Sequence, residues 1–137
     1  MPEAHFTLLK SALVFLGSGV GGVLRYWIGG AIQLWWGPQF PLGTFFVNVS
    51  GCLVMGFLAA LWAGPVRVRE EHVAAILIGL LGGYTTYSSF SREALAQLHQ
   101  GQWLRAFVYV VGTAVLCLLA AWFGAVLAAR LGGGLAS

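Results

Sequence analysis

The stretch Gly79-Leu80-Leu81-Gly82-Gly83-Tyr84-Thr85-Thr86-Tyr87-Ser88-Ser89-Phe90-Ser91 decides how this chain folds. It lies in an uncharged run from Val73 to Ser91, where a membrane-spanning helix is expected. Yet it carries a glycine pair followed by hydroxyls and aromatic rings at every position. The glycine pair weakens a helix, and freed backbone carbonyls then need partners. Irregular backbone survives at membrane depth only where protein or a water-filled path shields it. The segment is therefore predicted to be a helix broken mid-membrane around a small polar object.

The composition of the whole chain agrees with a membrane setting. Of 137 residues, 59% are hydrophobic and 8% charged; the mean hydropathy is +0.86. No charge occurs from Tyr26 to Val66, a run divided by the turn cluster Trp36-Gly37-Pro38-Gln39-Phe40-Pro41. Ala106 to Ala129 is uncharged as well. A span needs roughly 20 apolar residues. Four spans follow, at about 8–30, 41–63, 73–90 and 103–129, within a single domain over 1–137. The first is not read as a secretory signal, because its apolar run continues past Arg25 to Trp36 without a cleavage pattern. The expected fold is an all-α, multi-pass integral membrane protein.

Four spans put both termini on one side, together with Lys10, Arg67, Arg69 and Arg130. Arg25, Arg92 and Arg105 collect on the other. This near balance gives the loops little power to orient the chain, which suits insertion both ways and an antiparallel dimer. Small residues recur at Gly17, Gly21, Gly51 and Gly56. They let helix backbones approach closely in lipid. With so few helices, a homo-oligomer would supply the missing surface.

Few residues inside the spans can do chemistry. Asn48 has Thr44 one turn before it on the same face. Its amide suits a helix–helix hydrogen bond or a donor for an anion. Arg25 either snorkels to the interface or places positive charge at a pore mouth. Tyr84, Tyr87 and Phe90 are spaced by three, with Thr85, Ser88 and Ser91 beside them. On one continuous helix these make an aromatic ridge beside a hydroxyl ridge. Such a ridge is a packing seam or a line of positive ring edges for an anion.

Other residue types exclude function classes. Cys52 and Cys117 fall inside spans and read as small packing residues, with no disulfide framework. His5, His72 and His99 sit at rims without metal-ligand spacing. Glu3, Glu70, Glu71 and Glu93 lie outside the uncharged cores, so no intramembrane acid serves proton-coupled pumping. There is no carboxylate pair, nucleophile–base set or phosphate loop, so the chain does not read as an enzyme. Nothing in it calls for nucleic acid, or for a protein partner other than itself.

Three segments, in order, carry a resemblance over nearly the whole chain: Gly21-Gly22-Val23-Leu24-Arg25-Tyr26, Pro41-Leu42-Gly43-Thr44-Phe45-Phe46-Val47-Asn48 and Gly82-Gly83-Tyr84-Thr85-Thr86-Tyr87-Ser88-Ser89-Phe90-Ser91-Arg92-Glu93. Together they resemble the CrcB (Fluc) fluoride channel family. The resemblance implies a dual-topology antiparallel homodimer in the cell membrane, passive export of cytoplasmic fluoride, and fluoride resistance. It assigns Asn48, Tyr87 and Phe90 to the pore, with Thr44, Ser88, Ser89, Tyr109 and Thr113 extending a polar track. The family more often reads Thr-Phe-Ser-Thr-Phe-Ser where this chain has Thr86-Tyr87-Ser88-Ser89-Phe90-Ser91, so a tyrosine holds the first phenylalanine position. Arg25 and Glu93 match vestibule residues. Gly82 and Thr85 match positions whose backbone carbonyls hold a central structural sodium ion, Na+. The competing expectations are a small dual-topology multidrug cation exporter, which needs an intramembrane acid, and a non-transporting membrane scaffold.

Overall fold

The computed structural model describes residues 8–64 and 66–135; Glu3 and His5 lie outside them. The described residues are helical, with no strand. Four helical stretches are long and apolar enough to cross a membrane: Leu8–Trp36, Leu42–Ala63, Glu70–His99 and Trp103–Gly132. We label the helices α1 (Leu8–Trp36), α2 (Leu42–Ala63), α3 (70–84), α4 (Tyr87–His99) and α5 (Trp103–Leu135). The third stretch comprises α3 and α4.

The first helix runs past Gly30 to Trp36. It stops at Gly37, whose φ of +91° only glycine adopts freely, and Pro38 cannot resume it. The Gln33 side chain fixes the turn. Its Nε2 donates to Phe40 O at 3.0 Å and to Gly37 O, and its Oε1 accepts from the Gly43 N–H at 3.1 Å. Gly43, in the first turn of α2, packs directly on Gly29 of α1.

The glycines set the packing. A Cβ on Gly17 or Gly21 would collide with the backbone of Ala75 or Leu80, so α1 lies flush on α3. From the other side, Gly79 meets Val14 and Gly83 meets Ser18. Gly56 lies on Ala121, and Gly124 lies on Leu53, joining α2 to α5. Gly51 makes room for Thr85. Close backbone approach of this kind drives helix association where lipid offers no hydrophobic gain.

Burial is inverted relative to a soluble domain. Buried hydrophobic residues are few, Val47, Leu81, Phe90 and Tyr109 among them. Leu8, Phe15, Trp27, Leu34, Leu104, Leu118 and Trp122 face outward. An outer surface this apolar matches lipid rather than water.

Two sequence expectations are corrected. The helix does not break at the glycine pair: Gly82 and Gly83 are helical, and the interruption falls at Thr85–Thr86, both in extended conformation. The glycines instead serve close packing, while Thr86 is drawn out of the helix. Consequently the two ridges do not run through: Tyr84 ends α3, and Tyr87 and Phe90 belong to α4. Upstream, Ala74–Leu81 is wound as a π-helix, and the Gly82 N–H reaches Leu77 O.

Candidate functional site

The site is built around the interruption. Asn48 is buried on α2, where it faces Thr86. Its Oδ1 accepts from the Thr86 N–H at 2.7 Å, and its Nδ2 donates to Thr86 O at 3.0 Å. The carboxamide thus replaces the helix at that residue, pairing both backbone groups that the interruption strands. An amide nitrogen carries two hydrogens, so one N–H of Asn48 remains for another acceptor.

Thr86 then starts the next helix. Its Oγ1 accepts from the Ser89 N–H at 3.2 Å, the N-cap interaction that helix starts favour. Ser89 Oγ lies 3.2 Å and Ser88 Oγ 3.3 Å from the same oxygen, so three hydroxyls cluster there. On the α3 side, Leu81 O accepts from both the Thr85 N–H at 2.9 Å and Thr85 Oγ1 at 3.0 Å. Tyr84 OH and Ser50 Oγ meet at 3.0 Å.

These bonds have a consequence for two carbonyls. In a continuous helix, Gly82 O would accept from the Thr86 N–H and Thr85 O from the Ser89 N–H. The first N–H goes to Asn48 and the second to Thr86 Oγ1. Both carbonyls therefore lose their regular helical donors, and Gly82 is exposed. Freed carbonyls of this kind suit a hard cation.

Aromatic rings stack beside the interruption. Phe90 lies 5.1 Å from Tyr109 and 5.4 Å from Tyr87, centroid to centroid. Tyr109 also receives Phe40 edge-on at 5.3 Å. Phe90 and Tyr109 are buried, whereas Tyr87 is 80% exposed in the single chain. Glu93, one turn after Ser89, is clasped by α2 and α5: Thr44 Oγ1 donates to Oε1 at 2.9 Å and Tyr109 OH to Oε2 at 2.8 Å. Thr113, one turn beyond Tyr109 on α5, is buried, and its Oγ1 has no hydrogen-bond partner.

A groove of about 470 Å³ opens onto this assembly, lined in part by Arg25, Thr44, Thr86, Ser89, Arg92 and Glu93. Two guanidinium groups against one carboxylate leave it net positive, which concentrates anions. The structure thus gathers Asn48, Ser88 and Ser89 on Thr86, Thr44 and Tyr109 on Glu93, and Phe90 on Tyr109. Arg25 stands at the groove, and Tyr87 turns its ring outward.

Sequence reasoning missed Gln33 and Thr86. Gln33 was legible as a polar residue in an uncharged run just before Gly37-Pro38. For Thr86 the signal was an N-cap threonine three residues before Ser89.

Comparison with known proteins agrees in extent. The family profile described as CrcB-like protein, Camphor Resistance (CrcB), matches residues 12–125. A protein of Methylococcus capsulatus named fluoride-specific ion channel FluC is 45% identical over 118 residues, covering 86% of this chain and 52% of that protein. This chain thus spans about half the length of that relative. Proteins of the same name from Paramagnetospirillum magneticum and Solibacter usitatus are 44% and 40% identical; the matches cover 88% and 89% of this chain, and 96% and 100% of theirs. With a profile matched over most of its length and four helices able to span a bilayer, the chain is a multi-pass integral membrane protein and belongs to the CrcB family.

Proposed function

We propose that this chain is a subunit of a fluoride-selective channel that lets cytoplasmic fluoride leave the cell passively and so confers fluoride resistance. The observation that carries the reading is the Asn48 carboxamide at the interruption, bonded to Thr86 on two sides with one N–H to spare. Beside it Thr86 gathers the Ser88 and Ser89 hydroxyls, Phe90 stacks on Tyr109, and one turn beyond Tyr109 the buried Thr113 hydroxyl has no partner. Fluoride is small and strongly hydrated, so a path must replace its water with donors. Amide and hydroxyl donors do this at several weak sites, which lets the ion enter and leave. Ring edges add attraction without trapping. Arg25 and Arg92 raise the local anion concentration at the mouth. The relatives' name points to the same ion.

The functional unit in this reading is an antiparallel homodimer in the cell membrane, with the interruption at mid-membrane depth. The outward-facing Tyr87 supports this, since its ring is left to meet a second chain. The carbonyls of Gly82 and Thr85, relieved of their helical donors, would hold a structural Na+ between two copies. Bound there, the ion supplies charge to compensate carbonyl dipoles. The chain's own contribution is to keep those carbonyls free by giving the Thr86 and Ser89 N–H groups other acceptors.

The test is fluoride efflux from liposomes containing the purified protein, with chloride efflux run in parallel. Release of fluoride without chloride is the expected result. A folded protein that releases neither overturns the proposal and leaves a scaffold role.

A further inference from the structure

The two cysteines take no part in the hydrogen bonds of the interruption and answer to a different chemistry. Thr44 and Tyr109, near the starts of α2 and α5, meet on one carboxylate. Further along, Gly56 lies on Ala121. The two helices therefore run in the same direction, in register over this length. The spacing of Thr44, Cys52 and Gly56 repeats that of Tyr109, Cys117 and Ala121. Cys52 and Cys117 fall at matching positions between the two fixed contacts. Both are free and half-buried, and they lie close enough to interact with each other.

We propose that Cys52 and Cys117 form a two-coordinate thiolate site for mercuric ion between α2 and α5. Thiolates select soft metals. Zinc wants four ligands, and no group of three or more His, Cys, Asp or Glu side chains that could hold a metal occurs among the described residues. Mercuric ion is satisfied by two sulfurs in a linear arrangement. Charge favours it further. Two thiolates cancel its charge, whereas two thiolates on a monovalent silver or copper ion leave a buried net charge, which is costly. Neutral mercuric chloride also enters apolar surroundings without shedding a large hydration shell. Each S–H bond is replaced by an S–Hg bond, and the two protons leave with the two chlorides as HCl. No oxidation state changes.

The test uses full-length protein in detergent, reduced, freed of reductant and given one equivalent of mercuric chloride. Bound mercury is counted by elemental analysis and intact mass, and free thiols by iodoacetamide labelling after denaturation. The expected result is one mercury per chain with both thiols protected. Cys52→Ser and Cys117→Ser should each surrender mercury to glutathione on the order of 100-fold more readily, the scale of losing an intramolecular second ligand. Two mercury atoms per chain, unprotected thiols, mercury-bridged dimers in denaturing mass analysis, or single variants that hold mercury as tightly would each overturn the site. Should a serine variant fail to fold, wild-type stoichiometry and protection still decide. No arm depends on fluoride flux.

Discussion

Asn48 holds Thr86 at two points, by a 2.7 Å bond from the Thr86 N–H to Oδ1 and a 3.0 Å bond from Nδ2 to Thr86 O. One side chain thereby stabilises a helix interruption that would otherwise strand two buried backbone groups. Asn48→Asp keeps the acceptor but sets a carboxylate against Thr86 O. Each stranded group costs about 1–3 kcal/mol. Thermal unfolding in detergent should fall accordingly, and fluoride efflux should drop to background. Wild-type melting and flux together would contradict the clamp.

Glu93 is the second test of geometry. It takes hydrogen bonds from Thr44 on α2 and Tyr109 on α5, so it ties α4 to both. Tyr109→Phe removes one donor without altering the ring stack on Phe90. A hydrogen bond to a charged group is worth about 1.5–3 kcal/mol. Tyr109→Phe should lose stability in that range, and much less in a Glu93→Gln background. A double-mutant cycle reads the coupling; additive losses would show that the pair does not interact.

Gly56 bears on packing alone. A Cβ there runs into the backbone of Ala121, which no rotamer change relieves. Gly56→Val should therefore cost about 1–3 kcal/mol by overpacking, measured as a lower melting temperature. Ala121→Gly should not rescue it, because the closest obstacle is a backbone carbonyl. Rescue would mean that the helices part more easily than this contact implies.

The four apolar helices were legible because long runs with few or no charges mark them and the turn at Gly37-Pro38 is marked by its own residues. The existence of a break was legible in the hydroxyl run after Gly83. Its place was not. Glycines signal both weak helix and close packing, and here Gly79 and Gly83 do the second, against Val14 and Ser18. What extracts Thr86 is a side chain on another helix, and no local pattern carries that information. The π-wound Ala74–Leu81 is eight apolar residues with nothing to mark the change in winding. Glu93 read as a rim acid for the same reason: Thr44 and Tyr109 reach it only once three helices are assembled.

The proposed sodium site follows from where the amides of α4 go. Because the Thr86 N–H bonds Asn48 and the Ser89 N–H bonds Thr86 Oγ1, Gly82 O and Thr85 O lack their helical donors. An ion that binds the folded dimer alone stabilises it by mass action, about 2.7 kcal/mol at a hundredfold excess over its dissociation constant. Replacing sodium by N-methylglucamine at constant ionic strength should lower the melting temperature and raise the monomer fraction on gel filtration. Stability should climb with the logarithm of sodium concentration once the site is saturated. Asn48→Ala returns the Thr86 N–H to compete for Gly82 O, so this variant should respond less steeply to sodium than the wild type. A wild-type dimer equally stable in both cations would rule the site out.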